Sequence, residues 1–124
     1  MRDAQAMVRA FHDAIGAPNG ETPAIRRSDL RAALIEEEAA ETCAAIRAGD
    51  LVKAIDGLCD LIYVVVGTAL EFGIDLEPFF AEVHRTNLAK INGPVREDGK
   101  RLKPPGWKPP DIEGLLRTLY GVQT

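Results

Sequence analysis

Between Leu34 and Asp60 the chain reads LIEEEAAETCAAIRAGDLVKAIDGLCD. Four glutamates, Glu36, Glu37, Glu38 and Glu41, open this stretch, and Asp56 and Asp60 close it inside an otherwise apolar segment. Residues three and four apart share a helix face. The line from Leu30, Ala33 and Leu34 therefore continues through Glu37, Glu38 and Glu41 to Ala44 and Ala45, so the acids grow out of the apolar stripe. Asp56 and Asp60 share a line with Tyr63 and Gly67 on the following helix. The short Gly49–Asp50 connection makes the two helices antiparallel neighbours that aim carboxylates at each other.

Helix signals bracket this pair. Ala4, Met7, Val8, Phe11 and Ile15 recur at helical spacing, and Gly16 ends that first helix. Ala17–Arg27 carries Pro18, Gly20 and Pro23 and reads as a loop. Ser28 is the expected N-cap of the second helix, which runs to about Ala48. Asp50 caps a third helix reaching about Phe72, with Val64–Val66 helical despite being β-branched. Gly73 ends it, and Asp75 opens a fourth that fades near Ile91. Asn92–Pro110 is rich in Gly, Pro and positive charge and lacks periodicity; a loop this long in a small domain is functional or disordered. Asp111 starts a short terminal helix. The expected fold is all-α: one domain over residues 1–124, a four-helix core, and a C-terminal arm over residues 92–124 ending in that short helix.

Composition excludes several classes. Hydrophobic residues make up 46% and charged residues 27%, the balance of a globular chain. The formal net charge of −4 argues against nucleic-acid polymers or anionic membranes as partners. The apolar run Leu58–Leu70 is interrupted by Asp60 and falls short of the roughly 20 residues of a membrane span. Two cysteines, Cys43 and Cys59, are too few for a disulfide framework, and MRDAQAMVRAFHD is no signal peptide; a cytoplasmic protein is expected.

Leu58, Cys59, Leu61, Ile62 and Val64–Val66 surround Asp60, and a helix apolar on nearly all sides is a buried one. Asp60 is then expected to face the interior, where an unpaired carboxylate costs several kcal/mol. A divalent cation would relieve that cost and the repulsion among the acids, and all-oxygen ligation suits Mg²⁺ or Mn²⁺. Two plainer readings remain open at this level: a solvated acidic face, and a pair between Asp60 and a Lys or Arg of another helix.

EEEAAE followed by DGLCDLIYVVVGTALEFGID, then EVHRTNLAKINGP and DGKRLKPPGWKPPDI, resembles the MazG-like, all-α nucleoside triphosphate pyrophosphohydrolases. That group includes dimeric all-α dUTPases and phosphoribosyl-ATP pyrophosphohydrolases. Its signature is Glu-x-x-Glu on one helix and Glu-x-x-Asp on the next. Glu38 and Glu41 match the first pair, with Glu37 beside them, and Asp60 matches the last position. Gly57 stands where the pattern has Glu, and Asp56, one residue earlier, shares the face and is the substitute carboxylate. The resemblance implies Glu37, Glu38, Glu41, Asp56 and Asp60 as metal ligands, with Glu37 or Glu38 as general base. It implies Mg²⁺- or Mn²⁺-dependent hydrolysis of a nucleoside triphosphate, with dUTP as one candidate, to the monophosphate and pyrophosphate in nucleotide-pool sanitation. Phosphoribosyl-ATP pyrophosphohydrolysis and a non-catalytic nucleotide- or metal-binding module are the alternatives. It also implies a homodimer or higher homo-oligomer.

The basic residues supply candidate substrate contacts. Asn87 and Lys90 share a face near the end of the fourth helix, and Lys100, Arg101, Lys103 and Lys108 follow in the loop. Asn87, Lys90 and Lys103 are the expected phosphate contacts. Trp107 either stacks on a base or pins the loop to the core. Tyr63, one turn beyond Asp60, is within reach of substrate. Phe11 and His12 are candidates for lining a base pocket, although His12 also reads as an ordinary surface histidine.

Overall fold

Glycine and aspartate punctuation delimits the helices closely. The computed structural model describes residues 1–123 and contains α1 (Arg2–Ile15), α2 (Ser28–Arg47), α3 (Leu51–Glu71), α4 (Leu76–Leu88) and α5 (Ile112–Tyr120). Asp50 caps α3 by accepting a hydrogen bond from the Lys53 amide, and Asp111 caps α5 through the Gly114 amide. Gly16 closes α1 in the left-handed conformation. The start of α2 differs by one residue from expectation. Arg27, in the left-handed conformation with φ 44°, occupies the cap position, and Ser28 is already helical without a capping bond. Arg27 is held there by its ion pair with Glu71 at 2.7 Å.

The chain divides into two units, Met1–Leu76 and the residues from Glu77 onward. In the first, α3 is the central helix, with α2 and α1 packed on it. Val8, Val66 and Leu70 form its hydrophobic core. Gln5 ties the ends of this unit together: its side-chain amide donates to Asp75 at 2.9 Å and accepts from the Leu76 amide at 2.8 Å. The Ala17–Arg27 loop is laid against the end of α3, with the Gly20 amide bonded to the Leu70 carbonyl and the Ala24 amide to the Phe72 carbonyl. Gly73 turns the chain at φ 72°, where a Cβ would lie 2.5 Å from the Thr22 carbonyl oxygen, so the position needs glycine twice over.

Burial within α3 differs from what its composition predicts. Val66–Glu71 are buried, whereas Leu51 and Val52 are 71% and 79% exposed, and Ile55, Leu58, Ile62 and Val65 are exposed as well. Leu51, Ile55, Leu58, Ile62 and Val65 alternate at spacings of four and three and so form one uncovered apolar stripe. On α1 the apolar line is similarly uncovered: Met7, Phe11 and Ile15 are exposed, and Gln5, Val8 and His12 take the buried positions. On α2, Leu30 is exposed and its neighbour Arg31 is buried.

The facing of α2 follows from a buried ion cluster. Glu71 is 0% exposed and receives Arg27 and Arg31, each at 2.7 Å. Arg31 also donates to the Thr68 hydroxyl at 3.0 Å and the Val64 carbonyl at 2.9 Å. A buried carboxylate demands such partners, and that demand sets the facing of α2.

In the second unit, Phe79 and Tyr120 stack with ring centroids 6.3 Å apart. The 92–110 segment is irregular apart from a single antiparallel bridge between Val95 and Arg101, closed by a turn at Glu97–Asp98. Among the described residues, helices and that bridge are the whole of the regular structure, so the fold is all-α. Among the described residues, no single helix is long and apolar enough to cross a membrane.

Candidate functional site

The antiparallel α2–α3 pair brings the acids together. A cavity of about 550 Å³ opens along it, lined by Glu41, Asp50, Lys53, Asp56 and Asp60 with Gly57 and three alanines of α2. Asp56 and Asp60 thus share the cavity face, as their spacing predicts. Asp60 is exposed at the cavity wall, and the interior position expected from its apolar neighbours is not found. Of those neighbours, Leu58, Ile62 and Val65 belong to the uncovered stripe of α3, while Val66 turns to the core.

Glu38 is the most perturbed carboxylate of the group. Its pKa is raised, first by burial and then by the charges of Glu41, Asp60, Glu37 and Asp56. Four of the five acids expected from the sequence therefore act on the fifth. Glu38 Oε2 is buried and has no hydrogen-bond partner. Glu37 and Glu41 are exposed. Among the described residues, no group of three or more Asp, Glu, His or Cys side chains is placed to hold a metal ion. By donor chemistry alone, hard carboxylate oxygens with one buried orphan among them suit a hard divalent cation. Proximity in charge and convergence in geometry are different tests, and the group meets the first alone.

Tyr63 belongs to a neighbouring cavity of about 470 Å³, where Phe11, His12, Arg27, Arg31 and Leu34 also appear. Its ring meets Phe11 edge-on, with centroids 5.6 Å apart. His12 is buried, with Nδ1 3.2 Å from the Pro18 carbonyl oxygen, so the surface-histidine reading is corrected. Leu34 precedes the glutamates by one turn and Tyr63 follows Asp60 by one, so this second cavity continues the first along the same helices. Arg27 and Arg31 were not expected near the site. The signal available was their adjacency to Leu30 and Leu34 on the apolar stripe.

The remaining candidates gather within the second unit. Lys90 Nζ donates to Asn87 Oδ1 at 3.1 Å, and Lys90 and Lys103 each place Nζ 4.9 Å from the centroid of the Trp107 ring. The Trp107 indole N–H donates to the Thr86 carbonyl at 2.7 Å. Trp107 pins the loop, and its ring is already engaged by two ammonium groups. Arg85 pairs with Glu82, and Arg101 donates to the Gly93 carbonyl. Neither belongs to the Trp107 cluster.

The sequence was compared with known families and proteins. A family model described as phosphoribosyl-ATP pyrophosphohydrolase matches residues 8–87, more than half of the chain. The match includes every candidate carboxylate, Tyr63 and Asn87, and stops before Lys90, Lys103 and Trp107. No curated protein matches the chain.

Proposed function

Since the chain belongs to the phosphoribosyl-ATP pyrophosphohydrolase family, within the MazG-like all-α superfamily of nucleotide pyrophosphohydrolases, we propose that it hydrolyses a nucleoside triphosphate to the monophosphate and pyrophosphate with Mg²⁺ or Mn²⁺. The observation that carries this reading is Glu38, a half-buried carboxylate with an orphaned oxygen, pushed up by burial and by four neighbouring acids.

Glu37, Glu38, Glu41, Asp56 and Asp60 would hold the cation. When bound, it supplies charge neutralisation for the phosphates and activation of water. Glu38 takes the proton of the attacking water. Its half-buried side chain keeps one oxygen free of hydrogen bonds for that proton, whereas Glu37 is exposed. The water oxygen bonds to the α-phosphorus, the bridging P–O bond breaks, and pyrophosphate leaves. Asn87, Lys90 and Lys103 bind phosphate oxygens, with Trp107 holding the loop that carries Lys103. Phe11, His12 and Tyr63 line the space for the nucleoside, whose flat apolar faces suit the aromatic wall.

Two substrates are favoured for different reasons. A deoxynucleotide such as dUTP fits the sequence resemblance and a role in pool sanitation. Phosphoribosyl-ATP fits the description of the matching family. Pyrophosphate release from dUTP, the other deoxynucleotides and phosphoribosyl-ATP, each with Mg²⁺, Mn²⁺ or a chelator, separates them. No release from any of them would favour a binding module.

The uncovered α3 stripe supports a homodimer or higher assembly. An active monomer in sedimentation would refute it.

A further inference from the structure

The α2–α3 contact is close at the level of the carboxylates. Thr42, 3% exposed, faces Gly57, which is also buried. A Cβ at position 57 would lie 2.6 Å from Thr42 Oγ1, 3.1 Å from its Cα and 3.2 Å from its Cβ. Gly57 sits in the middle of α3 with helical backbone, where glycine is among the poorest helix formers, so space and not conformation accounts for it. The Thr42 hydroxyl is in turn fixed, donating to the Glu38 carbonyl oxygen at 2.6 Å. On α2 this contact is flanked by Glu38 and Glu41, and on α3 by Asp56 and Asp60.

We propose that Thr42 and Gly57 are a matched spacer that sets the separation of the α2 and α3 carboxylates, and that Thr42 is a positioning residue for Glu38. This rests on the carboxylates being the cation site. The spacer lets the two backbones approach closely, so that Glu41 of α2 and Asp56 and Asp60 of α3 line one cavity. It also fixes what α3 can contribute. With Thr42 in place, position 57 has no room for a side chain, and the ligands of α3 are Asp56 and Asp60. A side chain at position 57 forces the helices apart, and loss of the Thr42 hydroxyl frees the Glu38 turn; either loosens the cation site, although neither partner is a ligand.

Mn²⁺ binding to the full-length chain without nucleotide, followed by electron paramagnetic resonance, tests this. Gly57→Ala is expected to weaken Mn²⁺ binding about tenfold or more, the usual effect of disturbing groups that orient ligands. Thr42→Ser keeps the hydroxyl and is expected to bind like the native chain, while Thr42→Val, which keeps the shape and loses the hydroxyl, weakens binding only about threefold, the effect of one neutral hydrogen bond. Combining Gly57→Ala with Thr42→Ala removes the atom at 2.6 Å and is expected to recover affinity by at least about threefold over Gly57→Ala alone. Circular dichroism confirms that each variant compared is folded. Native affinity in Gly57→Ala, or a double variant no better than the single, overturns the spacer while leaving the cation site standing. Absence of Mn²⁺ binding by the native chain overturns both.

Discussion

Glu71 illustrates how one residue decides the packing of three segments. Its carboxylate receives Arg27 and Arg31, and its backbone carbonyl accepts from Arg26. Burial pushes its pKa up, but the Arg27 hydrogen bond and the charges of Arg31, Arg27 and His12 outweigh that and hold it below its ordinary value of 4.5. Glu71→Ala leaves Arg31 buried without its partner and is expected to destabilise the fold by about 3–5 kcal/mol in chemical denaturation. Because the folded pKa is depressed, the contribution of Glu71 is present above 4.5 and is lost as pH falls through the folded value. Glu38 has the opposite sign. Its raised pKa favours the fold when protonated, and that contribution is lost as pH rises through the folded value. A divalent cation should therefore raise the melting temperature more near neutral pH than at about pH 5. An equal rise at both would show that ionised Glu38 is not what the cation relieves.

At the scale of elements, the helices were legible because Gly16, Gly49, Gly73 and the capping Asp50 and Asp111 mark their ends chemically. The shared face of Asp56 and Asp60 was legible from spacing alone. The facing of α1 and α2 was not. A reading by apolar stripes places Leu30 and Phe11 inwards, whereas the buried positions go to Arg31 and His12. Ion clusters carry no periodic signature, and their partner Glu71 lies on a different helix. The α3 stripe was misread for a related reason: composition says that a surface is apolar and does not say what covers it. If a second copy covers it, Ile55→Glu with Ile62→Glu should convert the assembly to monomer in analytical ultracentrifugation while helicity persists. In the second unit, Lys103→Ala should raise KM about tenfold or more with a smaller effect on kcat, as expected for loss of a charge-assisted phosphate contact.

For the whole molecule, the family match and the five carboxylates bear on one chemistry from separate directions. The match names a fold and a class of bond. The acids gathered around Glu38 mark the place where we propose that bond is broken. The most direct measurement is pyrophosphate release from the nucleotide panel by the native chain, by Glu38→Gln and by Asp60→Asn, each with Mg²⁺, Mn²⁺ or chelator. Metal-dependent release by the native chain, falling by about two orders of magnitude or more in both folded variants, is the expected result. Release that survives chelation, or native rates in both variants, would contradict it.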